Sequence, residues 1–326
     1  MSFEHQHAAH CESGVISSLL RHNGAPISES MAFGLSSAMS FAYLPFVKML
    51  GQPLVAYRMP PRSIIRGVQK PLGARLRFET FRDPAAGQAR LDALLAQNKL
   101  VGLQTSVYWL PYFPPDMRFH FNAHNLLVYG KDGDEYLISD PVGDIPVRCA
   151  SADLSRARFA KGLLAPKGLL YHIETMESRP IAPAVIRAAI RKTARRMTAP
   201  VPFVGARGMR LLAKHVARLP ADKTSTLDAI GHIIRMQEEI GTGGAGFRFL
   251  YAAFLEEAAQ LAALPALHDF ADRLIAIGDD WRGFALRTAR MVKGREAVDP
   301  PALAELLRAQ AAAEEKFFRE LQRAVA

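Results

Sequence analysis

Residues 8–24 read AAHCESGVISSLLRHNG and contain one of only two cysteines in a chain of 326 residues. Cys11 precedes apolar residues at helical spacing, and His22-Asn23-Gly24 is a typical helix stop. A thiol at a helix N-terminus lies at the positive end of the helix dipole, which favours the thiolate. The question that decides the function is whether Cys11 is a structural thiol, a metal ligand or a nucleophile.

All three interpretations have support in the sequence. Free cysteine is often simply buried in a core. His5, His7, His10 and Cys11 lie within seven residues, and imidazole and thiolate both bind zinc. The spacing H-x-H-x-x-H-C fits no common zinc pattern, however, so we expect no metal. A nucleophilic cysteine needs a base, and the base needs an orienting group.

Residues 122–141, NAHNLLVYGKDGDEYLISDP, offer both partners. The segment reads as two strands joined by a tight turn at 131–134, with His124 on the first strand and Asp140 just after the second. Antiparallel pairing brings the two side chains together. Cysteine, histidine and aspartate then follow in the chain order of papain-like folds. His120, four residues before His124 and on the same face of a strand, is the rival base.

The composition is that of a globular protein, with 49% hydrophobic and 22% charged residues. The N-terminus has no pattern of a secretory signal, and two cysteines suit a reducing cytoplasm, where we expect the protein. Residues 31–47 are uncharged and near the lower length limit of a membrane span. Their serines, glycine and proline favour a buried core helix, so we expect no transmembrane segment.

A net charge of +10 indicates an acidic partner. Residues 179–218 contain ten Lys or Arg and no Asp or Glu. This stretch is either a solvated helix face or a docking surface, in which Arg191, Arg195 and Arg196 are candidate contacts. Nucleic acid is not expected as the partner, because the stretch has almost no aromatic residues and no recognised binding motif.

The chain changes character near residue 180. Before it, helices and short strands alternate; after it, alanine- and leucine-rich segments repeat at helical spacing. We predict a mixed domain at 1–177 and a helical domain at 178–326, joined by a linker around 176–183. The predicted helices of the second domain are 183–198, 206–218, 224–240, 246–263, 266–290 and 300–325.

These motifs resemble a known family. HCESGVISSLLRHNG (10–24), SESMAFGLSSAMSFAY (28–43) and the segment 122–141 are similar to the N-terminal domain of the butirosin biosynthesis protein H family, a relative of the cysteine peptidase domain of bacteriocin-processing transporters. IGTGGAGFRFLYAAFLEEAA (240–259) resembles the domain of unknown function that usually follows. The resemblance implies an α+β, papain-like N-terminal domain followed by an all-α C-terminal domain.

The resemblance also implies a reaction. The founding member of the family transfers an acyl group from an acyl carrier protein thioester to an amine. The resemblance therefore implies acyl transfer from a carrier or coenzyme A thioester, with Cys11 as the nucleophile, His124 as the base and acid, and Asp140 as the orienter. We expect an acidic acyl carrier protein and a small-molecule amine as partners. No resident cofactor is expected, because phosphopantetheine arrives on the carrier. Papain-like peptidases place an oxyanion-hole Gln six residues before the cysteine; here that residue is His5, and Gln6 is the nearest candidate.

Other residues are weaker candidates for substrate binding. They are Glu29, His120 and a set around the glycine-rich turn before a helix, namely Gly243, Gly244, Arg248 and Tyr251. That turn presents backbone N–H groups to an anion or carbonyl, or it is only a tight interhelical turn. Two other functions remain open: a cysteine peptidase or amide hydrolase with the same triad, and a non-catalytic module that binds a carrier protein.

Overall fold

A computed structural model of the chain describes residues 3–49, 51–177, 180–240 and 243–326. The chain divides into two compact units. The first contains Met1–Ala32 and Ile64–Pro180, and the second contains Phe33–Ser63 and Ile181–Ala326. The predicted boundary at residue 177 stays a prediction, since compactness does not define a domain. The segment 33–63, which we predicted within the first domain, belongs to the second unit by this measure.

The elements of the chain up to residue 177 alternate between helix and strand. In order they are α1 (Cys11–His22), α2 (Glu29–Leu35), β1 (Met39–Met49), β2 (Gln52–Arg58), α3 (Ser63–Gly67), α4 (Gln69–Leu72), β3 (Ala74–Glu79), α5 (Pro84–Ala96), β4 (Val101–Thr105), β5 (His124–Asp132), β6 (Glu135–Ser139), β7 (Val147–Ala150), α6 (Ser151–Arg158) and β8 (Leu170–Met176). Short 3₁₀ turns occupy Val107–Trp109 and Pro115–Met117.

The first unit is built on a six-stranded antiparallel sheet in the order β3-β8-β4-β5-β6-β7. An apolar core lies on one face, where alternate residues of β4 and β5 pack with α5 and α6, among them Leu103 and Leu126. Helix α1 packs against β5, β4 and β8. Ten consecutive residues of α1, from Cys11 to Leu20, are buried. The helix that carries the cysteine is therefore an internal element.

In the second unit, six α-helices follow residue 180: α7 (Pro183–Met197), α8 (Gly205–Val216), α9 (Thr224–Glu238), α10 (Arg248–Leu261), α11 (Ala266–Val292) and α12 (Pro300–Ala324). Each predicted helix is present, with boundaries shifted by a few residues. The described residues contain no helix that is long and apolar enough to span a bilayer. The α+β class with a helical C-terminal part is confirmed.

The prediction of a buried helix over 31–47 is wrong. Helix α2 ends at Leu35, Ser37 adopts a left-handed φ of 55°, and the chain continues as strand β1, which pairs with β2. Aromatic residues favour a strand here, and Pro45 has no N–H for a helix. A stretch without charged residues indicates that the segment is buried, but it does not by itself distinguish a helix from a strand.

Candidate active site

Cys11 is the first residue of α1, and its helix start is held by a carboxylate from α2. Glu29 accepts the backbone N–H groups of Ala9 and His10, both at 2.8 Å, and the Ser13 hydroxyl at 2.8 Å. Burial raises the pKa of the Glu29 carboxyl above its usual range, against the hydrogen bonds that lower it. The carboxylate of Glu29 therefore binds the protein itself, and its candidate contact with a substrate stays a prediction.

His10 completes the cap of α1. Its side chain accepts the Ser13 N–H at 3.3 Å. The backbone N–H of Cys11, by contrast, has no acceptor among the described residues. A helix-terminal N–H next to a nucleophile is a suitable oxyanion donor.

The strand residue His124 connects Cys11 to Asp140. Its Nε2 lies 2.7 Å from Asp140 Oδ2, and both side chains are almost fully buried. The Cys11 thiol lies close enough to the same imidazole to raise its pKa. Strand β5 begins at His124, and β6 ends one residue before Asp140, so the hairpin places the two residues together as its spacing predicted.

The charge of Asp140 determines the protonation of His124. Burial lowers the pKa of the imidazole, but the carboxylate charge and hydrogen bond, together with the Cys11 contact, outweigh it and raise the pKa to about 10. The imidazole therefore carries two protons at neutral pH. In such a pair the sulphur is activated as a nucleophile and the imidazolium is ready to act as an acid.

Tyr112 is a member of this network that the sequence analysis missed. Its hydroxyl donates to Asp140 Oδ2 at 2.8 Å, and the neighbouring Phe113 ring packs edge-on against His124 with centroids 5.6 Å apart. Burial and the adjacent carboxylate raise the pKa of the Tyr112 phenol. A tyrosine that lies 28 residues from its acceptor has no short-range sequence signal.

The segment before Cys11 is bound to the loop that carries Asp140. His5 contacts the Ser139 hydroxyl at 2.7 Å and the Gly143 carbonyl at 3.0 Å, and the Ala8 N–H donates to the Pro141 carbonyl at 2.7 Å. These histidine contacts are structural. Gln6 is exposed and makes no hydrogen bond within the described chain, so its oxyanion role stays a prediction.

Gly14 allows the close approach of α1 to this loop. A Cβ at Gly14 would lie 2.5 Å from the Cβ of Pro141 and 2.7 Å from that of Ala8. Such distances are too short for packed carbon atoms. The glycine thus fixes how near the cysteine helix lies to the residue that follows Asp140.

His120 is not placed as the sequence predicted. Strand β5 starts only at His124, so the two histidines do not share a strand face. His120 lies in the preceding loop, is exposed, and stacks on Tyr108 with ring centroids 4.1 Å apart. The alternative assignment of the base to His120 is therefore not supported by the geometry.

The predicted lining around the glycine-rich turn is wrong for Arg248 and Tyr251. Both side chains are fully buried in the second unit. The Arg248 guanidinium binds Glu314 through two hydrogen bonds of 2.8 Å and donates to the Gly246 carbonyl at 2.7 Å. An arginine with these partners and no exposed surface is a core ion pair and does not line a ligand site.

The rest of that turn is only partly described. Gly241 and Thr242 lie outside the described residues. Gly244 is buried, whereas Gly243 is exposed with a φ of 61°. A substrate role for the two glycines stays a prediction.

The predicted docking cations also differ from one another. Arg191 donates to the Val325 carbonyl at 2.9 Å, and Arg196 donates to the carbonyls of Ser37 and Met39. Burial lowers the pKa of Arg196. Arg195 is exposed. Two of the three guanidinium groups are therefore already used within the second unit. Arg179 of the basic stretch lies outside the described residues.

A cysteine at the N-terminus of a buried helix, packed on an antiparallel sheet that carries histidine and aspartate, defines the papain-like class. The chain belongs to the family described as a domain of unknown function (DUF4872), which matches residues 152–321, more than half of its length. Residues 10–141 match the family described as butirosin biosynthesis protein H, N-terminal. The predicted resemblance to that family is confirmed.

Comparison with solved structures gives a weaker result. A crystal structure described as a C39-like peptidase from Bacillus anthracis is 12% identical, with a TM-score of 0.38, over 54% of this chain and 96% of that chain. A likeness of this strength carries no argument. No curated protein matches the chain. The family and the site together fit a cysteine-based acyl-transfer or peptidase-like role.

Proposed function

We propose that this chain is a cysteine-dependent N-acyltransferase that takes an acyl group from a carrier thioester and passes it to an amine in small-molecule biosynthesis. The observation that supports the proposal is the buried group of Cys11, His124 and Asp140, in which His124 is hydrogen-bonded to Asp140 and lies beside the Cys11 thiol. The match to butirosin biosynthesis protein H supports transfer over hydrolysis.

The proposed first step forms an acyl-enzyme. The Cys11 sulphur attacks the thioester carbonyl, and the carbonyl oxygen becomes an oxyanion near the Cys11 N–H. The bond from the carbonyl carbon to the donor sulphur then breaks. His124, protonated at neutral pH, gives its proton to the departing thiolate, so that the donor leaves as a thiol.

The second step releases the product. An amine attacks the acyl-Cys11 carbonyl and loses a proton to the His124 imidazole as the carbon–sulphur bond breaks. Cys11 leaves as a thiolate and the amide departs, which restores the thiolate–imidazolium pair. Asp140 holds the ring in position through both steps and stabilises its positive charge.

The acyl-enzyme is the direct test. The intact mass of the protein is measured after brief exposure to acyl-carrier thioesters without an amine. We expect an added acyl mass on the wild type and none on Cys11→Ala. Subsequent addition of an amine should remove the mass and form an amide. Absence of the adduct with every thioester contradicts acyl transfer, and rapid cleavage of peptides in its place indicates the peptidase function.

The acidic carrier is proposed to contact the exposed part of the basic stretch. Lys192, Arg195 and Lys214 are exposed on α7 and α8. Changing all three to Glu should raise the KM for the carrier thioester about tenfold and reduce its salt dependence, because surface charges steer encounter. Activity with a short free thioester is the control. An equal loss with both donors contradicts docking at this surface.

A further inference from the structure

A cavity of about 740 Å³ opens in the first unit beside the end of β3. Residues 80–82, which follow β3, line one side, and residues of the loop after α6, between 159 and 167, line the other. The volume is typical of sites for small ligands. Neither the sequence motifs nor the proposed triad uses this cavity.

The cavity is lined by three cations without partners. Arg82, Lys161 and Lys167 contribute to its wall, and their side chains form no ion pair or hydrogen bond with the described residues. Some cations of the same unit are paired, such as Arg75 with Glu174 at 2.7 Å. Others, such as Lys70 and Arg77, are also unpaired among the described residues, so the three cations of the cavity differ from them in surrounding one concave surface. Uncompensated positive charge around a concave surface attracts an anion.

No carboxylate lines the cavity to neutralise these charges. Glu79, one residue before its wall, binds Arg90 through contacts of 2.8–3.1 Å. Asp83, one residue after Arg82, accepts the N–H groups of Ala85 and Ala86 and so caps α5. Both neighbouring acids are thus committed elsewhere.

The cavity lies at the same end of the sheet, along the strand direction, as the candidate active site. Glu79 pairs with Leu170, Leu170 pairs with Leu103, and Thr105 pairs with His124. The end of β3 and the start of β5 therefore lie at the same end of the sheet, three strand spacings apart across it. At 4.7–4.9 Å a spacing, this lateral separation is roughly 14 Å.

We propose that this cavity binds the phosphate of the phosphopantetheine arm of the acyl donor, an inference that rests on the proposed function. About thirteen bonds separate the phosphorus from the sulphur in this arm. They equal slightly more than four residues of extended chain, which reach roughly 15 Å. A phosphate held by Lys161 and Lys167 thus leaves the thioester within reach of the triad. Phe81 and Phe159 supply the apolar surface beside it.

Two donors share this chemistry. A carrier protein presents phosphopantetheine on a serine, and coenzyme A presents it on adenosine 3′,5′-diphosphate. Strong competition by adenosine 3′,5′-diphosphate identifies coenzyme A as the donor, and its absence identifies a carrier. Either result agrees with a phosphate site, provided that the phosphate itself contributes to binding.

Calorimetric binding of phosphopantetheine and of pantetheine to the full chain tests the proposal without any chemical step. We expect phosphopantetheine to bind at least tenfold more tightly, and the difference to disappear in Lys161→Gln/Lys167→Gln. The control Lys70→Gln/Arg77→Gln removes two exposed cations elsewhere in the same unit and should preserve it. Equal binding of the two compounds to the wild type, or an unaffected double variant, overturns the proposal.

Rates of Cys11 acylation separate this inference from the proposed function. In Lys161→Gln/Lys167→Gln, kcat/KM for an acyl-phosphopantetheine should fall about tenfold, while that for the matching acyl-pantetheine is unchanged. If Cys11 is acylated equally well from both donors in the wild type, the phosphate site fails and the acyltransferase stands. If no thioester acylates Cys11, the proposed function fails whatever the binding result.

Discussion

Each unit of this protein contains a buried charged cluster, and the two clusters differ in how their polar groups are used. Around Arg248, the guanidinium binds both oxygens of Glu314 and the Gly246 carbonyl, and the Trp281 indole N–H donates to the same carboxylate at 2.6 Å. Around Asp140, a hydrogen bond runs to His124, whose imidazole lies beside the Cys11 thiol.

The difference separates a structural cluster from the proposed reactive one. A fully buried ion pair whose charges bind each other presents no group to a substrate. The cluster around Asp140 ends at the Cys11 sulphur, beside a backbone N–H without an acceptor among the described residues. Loss of the first cluster should therefore affect stability, and loss of the second should affect activity.

The largest expected effect is on catalysis. Cys11→Ala should reduce turnover by at least about 10³-fold, since residues that act as a unit lose most of their rate when one is removed. Its free energy of unfolding, measured in urea, should change little. Cys149→Ala is the control, because burial raises the pKa of that thiol to about 12 and the thiol donates a hydrogen bond to the Ala150 carbonyl, not to Cys11, His124 or Asp140. Substantial activity in Cys11→Ala would contradict the expectation that loss of the cluster around Asp140 affects activity.

The reverse pattern is expected at the other cluster. Arg248→Met leaves the Glu314 charge buried and unpaired, which should cost about 3–5 kcal/mol of unfolding free energy. The protein that remains folded should keep its specific activity. The double variant Arg248→Met/Glu314→Gln should recover part of the loss, as a double-mutant cycle would show. A fall in specific activity with normal stability would return Arg248 to the substrate site.

A pH titration should detect the His124–Asp140 pair. The folded-state pKa of His124, about 10, exceeds its ordinary value of 6.5, so its stabilising contribution is complete below pH 6.5 and is lost as pH rises through 10. The contribution is on the order of a few kcal/mol. Asp140→Asn should flatten this decline, measured as the difference between its unfolding free energy and that of the wild type. If the unfolding free energies of the wild type and of Asp140→Asn change in parallel with pH, the stabilising interaction between His124 and Asp140 is contradicted.

The smallest effect is expected at Tyr112. Tyr112→Phe removes one donor from Asp140 and should lower kcat about tenfold with little change in KM, because the residue positions the orienter and touches no substrate. Tyr136→Phe is a matched control, since that hydroxyl donates to Asp92 at 2.6 Å in the same unit. Equal kcat losses in the two variants would indicate a general loss of packing.

Local sequence signals predicted the part of the site that depends on local geometry. The helix stop at His22-Asn23-Gly24 and the turn at 131–134 placed Cys11 at a helix start and His124 beside Asp140. Both deductions need only short segments of chain, where turn and helix chemistry act.

Long-range partners could not be predicted in this way. Glu29 accepts a hydrogen bond from the Ala9 N–H, and Arg248 pairs with Glu314, which lies 66 residues further along the chain. Polar residues beside a glycine-rich turn suggested exposure, but an arginine is buried when a distant carboxylate pairs with it. The prediction of a helix over 31–47 was wrong for a related reason, because β1 pairs with β2.

The close contact of Gly14 with Pro141 controls how precisely the proposed catalytic centre is aligned. Helix α1 is a stiff rod, and Cys11 lies less than one turn from the glycine. A methyl group at position 14 would push α1 away from the loop at Pro141, and the Cys11 sulphur at the start of the helix would move with it. A misplacement of about 1 Å is enough to slow an enzyme about a hundredfold. Gly14, which has no side chain, therefore controls the alignment of Cys11 with His124 and Asp140.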